Sequence, residues 1–105
     1  MATLADRLES MRAEMKSRFI AAAHQGLAAS HASPEVKQRL RDRIPEACAE
    51  EVDRWRVAAA TWFPIVAEKL GLSSDQISDD AVFDYVEQTA EATMEGIRVA
   101  YSRQE

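Results

Sequence analysis

Apolar residues recur at steps of three and four along most of the chain, which is the period of an α-helix. In the first segment these positions are Leu4, Leu8, Met11, Met15, Phe19 and Ala22. Thr3 precedes this stripe as an expected N-cap residue, and Asp6 stands where its capping-box partner belongs. The pattern therefore predicts a first helix over residues 3–29.

A second helix start follows a short break at residues 30–33. Ser33 is a favourable N-cap residue, and Pro34 fits the first helical position because its missing N–H has no helical partner there. Val36, Leu40 and Ile44 continue the apolar stripe. Pro45 lacks an N–H and its ring clashes with the preceding turn, so we expect it to end or bend the helix. The second helix is predicted over residues 34–44.

The third segment has the longest apolar stripe in the chain, in nearly heptad spacing. Its members are Cys48, Val52, Trp55, Ala59, Trp62, Val66 and Leu70. Pro64 lies inside this stripe, which keeps its phase on both sides, so a kink is expected there rather than an end. Gly71 is suited to the position that follows a helix C-terminus. The third helix is predicted over residues 45–70.

The last helix is predicted over residues 78–102. Ser78 is the expected N-cap, and Asp79 and Asp80 favour the positive end of the helix dipole. Its apolar stripe consists of Phe83, Val86, Ala90, Met94, Ile97 and Tyr101. The chain has neither internal repeats nor the alternating pattern of strands. We therefore predict one all-α domain over residues 1–105, a small helical bundle of three long helices, the middle one broken or kinked at Pro45 and Pro64.

Composition agrees with one soluble helical domain. The chain has 105 residues, of which 47% are hydrophobic and 30% charged, and only three Gly and three Pro. Cys48 is the single cysteine, and the N-terminal residues contain no apolar leader, so a reducing cytoplasmic location is expected. No apolar run is long enough to predict a membrane span. Abundant Ala and the ratio of 10 Arg to 3 Lys are typical of a bacterial or phage protein.

The net charge of −5 is concentrated in the last third of the chain. Up to Lys69 there are 11 basic and 10 acidic residues, whereas from Leu70 onward there are 2 basic and 8 acidic. Five carboxylates of the last predicted helix fall within a sector of roughly 80°. We call this set the acidic face; its members are Asp80, Asp84, Glu87, Glu91 and Glu95.

The acidic face has three interpretations. It can bind a partner protein with a basic surface, since complementary charge speeds encounter and selects partners. It can instead pair with the basic second helix, within one chain or across a dimer, or it can simply be solvated. The basic residues concerned, here called the basic patch, are Lys37, Arg39, Arg41 and Arg43. Nucleic-acid binding by this patch is a further alternative, disfavoured by the negative net charge and the lack of a recognition motif.

The sequence predicts no catalytic residue, cofactor or metal site. His24 and His31 are seven residues apart, which leaves about 10 Å of helical rise, too far for one metal ion. Phosphate-binding, nucleophile-elbow, calcium-loop and di-iron patterns are all missing from the sequence. The stripe position of Cys48 is typical of a small core residue rather than a nucleophile.

Large apolar side chains raise the question of self-association. Met11, Met15, Trp55, Trp62 and Phe63 fit a core, but they also fit a dimer interface or a ligand pocket. Wide apolar stripes on three long helices favour a homodimer. The leading hypothesis is a small helical protein-binding module, an adaptor, inhibitor or regulatory factor. The alternative is a helical enzyme or ligand-binding bundle with a pocket lined by Trp55, Trp62, Phe19 and Tyr101.

Overall fold

The computed structural model describes residues 2–55 and 59–105, with side chains in the second range described from Thr61 onward. The regular elements in these residues are all helical, which confirms the all-α prediction. They are α1 (Leu4–Ala29), α2 (Pro34–Asp53), α3 (Ala59–Leu70), a short 3₁₀ turn (Ser74–Gln76) and α4 (Asp79–Ser102). The described residues thus contain four α-helices instead of three long ones.

The first helix begins where its capping residues predict. The Asp6 amide donates to the Thr3 hydroxyl at 3.1 Å, and the Thr3 amide donates to the Asp6 carboxylate at 3.2 Å. At the other end, the buried Ser30 hydroxyl donates to the carbonyl of Leu27 at 2.7 Å. Ser30 therefore gives one of the last α1 carbonyls a hydrogen-bond partner where water has little access.

Pro45 was predicted to end or bend the second helix; the predicted end at residue 44 is wrong, because α2 continues from Pro34 to Asp53 with Pro45 inside it. Pro45 is exposed, so the carbonyl that loses its helical N–H partner lies on the side of α2 that water reaches. Ile44, Cys48 and Val52 meanwhile bury the opposite side of the helix. The interruption instead follows Asp53, and part of the predicted stripe there, including Ala59, lies outside the described side chains.

The third helix runs through Pro64 and ends at a glycine, as its sequence predicts. Gly71 has φ of 68°, a left-handed conformation that favours glycine. The amide of Leu72 donates to the carbonyl of Ala67 at 3.0 Å, the six-to-one bond of a Schellman motif. Ser78 then caps α4 by accepting the Ala81 amide at 3.1 Å, so both predicted boundaries are confirmed.

Helix α1 lies between α2 and α4. It runs antiparallel to α2, since Arg12 near its start reaches Asp53 at 3.3 Å and Lys37 reaches the Ala28 carbonyl at 3.5 Å. It runs parallel to α4, since Arg7 meets Asp80 near the start of both helices. Helix α3 packs on α4 and touches α1. Within the described ranges no Cα atom of α2 lies within 8 Å of a Cα atom of α4, and no salt bridge joins the basic patch to the acidic face in one chain.

The core lies along α1, and the other helices cover it. Its fully buried large side chains are Phe19, Met15, Leu27, Ile44, Val66, Val82 and Val86. On α4 the buried positions are Val82, Val86 and Ala90, while Phe83 is only half-buried. The predicted stripe of α4 was therefore correct in its middle and out of phase at its start, where Val82 replaces Phe83.

The molecule is elongated and thin, measuring 52 by 27 by 17 Å with a radius of gyration of 16.3 Å. A compact chain of this length would have a radius of gyration of about 13 Å. No helix in the part of the chain that the structure describes is long and apolar enough to cross a membrane.

Candidate functional site

The acidic face follows α4 on the side roughly opposite the buried Val82, Val86 and Ala90. Helical spacing of four, three, four and four residues keeps its five carboxylates on that one side. Because the side of α4 that carries Val82, Val86 and Ala90 is buried in the core, the helix cannot turn these carboxylates inward without exposing those residues. Packing therefore fixes the acidic face toward solvent.

Both ends of the acidic face are paired with arginines. Arg7 of α1 donates to Asp80 at 2.7 Å, and its guanidinium carbon lies 4.4 Å from the centre of the Phe83 ring. Arg98, one turn after Glu95, donates to both of its carboxylate oxygens, from Nε at 3.0 Å and from Nη2. Hydrogen bonding to Arg98 lowers the pKa of Glu95 and keeps this exposed carboxylate charged. The two ends are thus locally neutralised.

The middle of the acidic face is not neutralised in this way. Asp84 and Glu91 are exposed and Glu87 is half-buried. Among the described residues, no Lys, Arg or His nitrogen lies within 4 Å of these three carboxylates. Their spacing places them along about two turns of α4, so like charges repel each other at a few tenths of a kcal/mol per pair. This short row is the strongest uncompensated charge of α4.

A groove runs beside the acidic face, where α1 and α4 meet. It consists of two open depressions of about 300 and 210 Å³, and Arg18 lines both. Half-buried Phe83 and Glu87 line the first, while Met94 and Glu95 line the second. The sequence assigned Phe83 and Met94 to the core stripe, and their position at its edge was the only signal that they flank a surface groove.

The basic patch is divided between two sides of α2. Lys37 donates to the last turn of α1, whereas Arg39, Arg41 and Arg43 are exposed. Lys37 and Arg41 share one side of the helix, and Arg39 and Arg43 share another. The structure therefore does not gather the four cations into one compact phosphate-binding surface, and nucleic-acid binding stays a prediction without further support.

The apolar candidates separate into two groups. Met11 and Met15 belong to the core and are 8% and 2% exposed. Trp55, Trp62 and Phe63 are half-buried. The rings of Trp55 and Trp62 stack with centres 5.9 Å apart, and Tyr85 of α4 lies 6.5 Å from Trp62. The methionines thus stabilise one chain, and the aromatic residues are left as candidates for a contact surface.

The predicted aromatic pocket is not assembled. Trp62 contacts Tyr85, near the start of α4, whereas Tyr101 follows sixteen residues later on the same helix. Sixteen helical residues span about 24 Å, more than one small-molecule pocket covers. Phe19, the fourth predicted member, is 1% exposed in the core. The described residues also contain no group of three or more His, Cys, Asp and Glu side chains that could hold a metal ion.

Cys48 lies in the core and is 3% exposed. Burial is the main reason that its pKa is raised, and the nearby Glu51 raises it further. The thiolate is the reactive form, so both access and ionisation disfavour reaction of the folded protein.

We expect native Cys48 to react with an aromatic disulfide reagent at least about tenfold more slowly than in denaturant, because the reagent must wait for local opening. Absorbance of the released thiolate measures the rate. A free cysteine-containing peptide of similar local sequence is the control for intrinsic reactivity. Equal rates with and without denaturant would show that the α1–α2 core around Cys48 is open.

Comparison of the chain with models of protein families gives no match, and neither the curated proteins nor the solved structures contain a significantly similar chain. Functional inference therefore depends on the site itself.

Proposed function

We propose that the protein is a protein-binding module whose acidic face and adjoining groove hold a basic amphipathic helix of a partner protein. The observation that carries this proposal is the row Asp84, Glu87 and Glu91, three carboxylates on one side of α4 with no Lys, Arg or His nitrogen within 4 Å among the described residues. A cationic partner would relieve their mutual repulsion, and complementary charge would speed its approach.

The groove supports a helical partner in particular. Amphipathic helices bind such grooves through apolar anchors at intervals of three, four and seven residues. Phe83 and Met94 are eleven residues apart on one helix, which corresponds to about 16 Å along its axis. A partner helix parallel to α4 would then place apolar residues on these two positions and lysines or arginines beside the carboxylates.

Arg18 is the cation that such a partner would have to approach. It lines both depressions, but Glu14 lies one turn before it and lines the first depression as well. Arg7 and Arg98 are already engaged by Asp80 and Glu95. The carboxylates on the α4 side of the groove are therefore free to meet the partner's basic side, whereas Arg18 on α1 disfavours an approach from the α1 side.

The double reversal Asp84→Lys/Glu91→Lys tests the proposal. A synthetic amphipathic helix with leucine on one side and lysine on the opposite side, labelled with a fluorophore, serves as the probe in anisotropy titrations. We expect wild type to bind it more weakly as salt rises, and the double variant to lose at least about tenfold in affinity, since each exposed charge pair contributes up to about 1 kcal/mol. Both positions are exposed, so circular dichroism should show an unchanged fold.

Glu46→Lys/Glu50→Lys on α2 is the matched control, because it changes the net charge by the same amount at two exposed positions away from α4. The proposal expects this control to stay within about threefold of wild type. Equal losses in both double variants would mean that only net charge matters. No loss in the α4 variant would contradict the proposal directly.

Capture from an extract of the source organism, followed by mass spectrometry, then identifies the natural partner. The proposal expects a protein with a basic amphipathic helix that wild type captures and the α4 double variant does not.

A further inference from the structure

One cation already lies in the groove that the proposed function assigns to a partner helix. Arg7 of α1 lines the first depression together with Phe83 and Glu87 of α4. Its Nη1 donates to the Asp80 carboxylate at 2.7 Å, and its guanidinium carbon lies 4.4 Å from the centre of the Phe83 ring. The free protein therefore holds an arginine at one end of the surface that a basic helix would have to cover.

The contacts of Arg7 are those by which proteins recognise arginine. A guanidinium is planar, so it can lie over an aromatic ring and still donate to a carboxylate, whereas the ammonium of lysine is a compact and strongly hydrated charge. Phe83 supplies the ring and Asp80 the carboxylate, and their spacing of three residues makes them neighbours on α4. This pair has the chemistry of an arginine-binding position, which Arg7 fills from within the chain.

The pairing at the other end of the acidic face differs in kind. Arg98 donates to Glu95 of its own helix, three residues away. Such pairs form wherever the spacing occurs on an exposed helix, so this one does not indicate a binding position. Arg7 differs because it reaches α4 from α1 and combines a ring with a carboxylate.

The contacts of Arg7 are weak enough to be exchanged. About a third of its side chain is exposed, and so is most of the Asp80 side chain. Exposed ion pairs and exposed cation–π contacts each contribute little, because water competes for the same groups. The start of α1 is held separately by the capping box of Thr3 and Asp6, so Arg7 can leave by rotation of its side chain alone.

We propose that Phe83 and Asp80 form an arginine subsite, and that an arginine of the partner helix replaces Arg7 there on binding. This inference rests on the proposed function and adds the identity of one partner residue. The methylene stem of the incoming arginine supplies the apolar contact at Phe83, and its guanidinium pairs with Asp80. Arg7 is then an intramolecular competitor, because a partner finds the subsite open only in the fraction of molecules whose Arg7 has turned away.

Arg7→Gln tests the subsite with two probes in anisotropy titrations. One is the leucine–lysine helix, and the other is the same helix with every lysine replaced by arginine. We expect the variant to bind the arginine probe about fivefold more tightly than wild type does, because its subsite is already open. The gain with the lysine probe should be less than half as large, since an ammonium does not stack on the ring as a guanidinium does. Circular dichroism checks that the fold is unchanged.

Arg54→Gln is the matched control, because it also removes one arginine and one ion pair, the pair with Glu51 on α2. It should change the affinity for either probe by less than about twofold. Arg7→Lys keeps the positive charge and loses the planar group, so its affinity for the arginine probe should lie between those of wild type and Arg7→Gln.

Three results would overturn the arginine subsite: no gain in Arg7→Gln with the arginine probe, an equal gain with both probes, or an equal gain in Arg54→Gln. Each of them leaves the proposed function in place, provided that wild type binds a probe and Asp84→Lys/Glu91→Lys loses it. If neither wild type nor Arg7→Gln binds either probe, the proposed function and the arginine subsite are both wrong.

Discussion

Replacing Gly26 with alanine should destabilise the protein by about 2–3 kcal/mol, although Gly26 lies inside a helix where alanine is normally favoured. The reason is the closeness of two backbones. A Cβ atom at this position would overlap the carbonyl oxygen of Arg98 and lie 2.9 Å from its carbonyl carbon and 3.1 Å from the amide nitrogen of Ser102. All three are main-chain atoms of α4, so no side chain can rotate away.

The methyl group would have to separate the C-terminal ends of α1 and α4. Overfilling a packed contact costs about 1–3 kcal/mol, and the rigid neighbours place this case at the upper end. Alanine returns up to about 1 kcal/mol of helix propensity, which only partly offsets the clash. Urea unfolding followed by far-UV circular dichroism measures the net change in the free energy of unfolding.

Gly96→Ala is the matched control for this prediction. Gly96 also lies inside a helix, α4, but a Cβ there would meet no heavy atom of its surroundings within 4 Å. Here only propensity acts, so the variant should be more stable than wild type by about 0.5–1 kcal/mol. Opposite signs for the two glycines would confirm the close contact of α1 and α4. A stabilising Gly26→Ala would show that the two helices are farther apart than the structure has them.

Gly26 also shows which information local sequence patterns lack. From the sequence alone it weakens the end of the first helix by roughly 1 kcal/mol relative to alanine. In the structure a glycine is needed here because the backbone of Arg98, more than seventy positions away, lies against it. No local sequence pattern contains that contact. Pro45 is a similar case, because its effect depended on which side of α2 faced water.

Capping and periodicity were more reliable, since both depend on neighbouring residues. Thr3, Ser33 and Ser78 begin helices as predicted, and Gly71 ends one. The phase of α4 was less certain, because Val82 and Phe83 are both apolar and only the position of α1 decides which is buried.

The acidic face could be predicted for the same reason, because its spacing is local to α4. Its division into neutralised ends and an uncompensated middle could not, since it depends on Arg7 of α1 reaching Asp80 across the helix pair. The groove could not be predicted either, because residues of both α1 and α4 line it. The heptad pattern also assigned Leu70 to a buried stripe, although more than half of this side chain is exposed.

Replacing Phe19 with alanine should cost about 3–5 kcal/mol of the free energy of unfolding. Phe19 is 1% exposed and is a central member of the core, where α1 faces side chains of the other helices. Removing its ring loses the transfer free energy of the buried atoms and leaves a cavity that surrounding helices fill only partly. Small domains are stable by roughly 5–15 kcal/mol, so the loss should shift the urea midpoint strongly or leave a partly unfolded population.

Replacing Phe83 with alanine tests whether the loss of stability depends on burial of the phenylalanine rather than on the residue type. Phe83 is half-buried at the edge of the groove, where it packs against the core and the Arg7 guanidinium lies over its ring. Its replacement by alanine should cost about 1 kcal/mol, the worth of a partly exposed cation–π contact and some lost packing. Because Phe83 is proposed to anchor the partner helix, Phe83→Ala should weaken binding of the leucine–lysine probe while preserving the fold. Equal costs of unfolding for the two phenylalanines would contradict the assignment of Phe19 to the core and Phe83 to the groove.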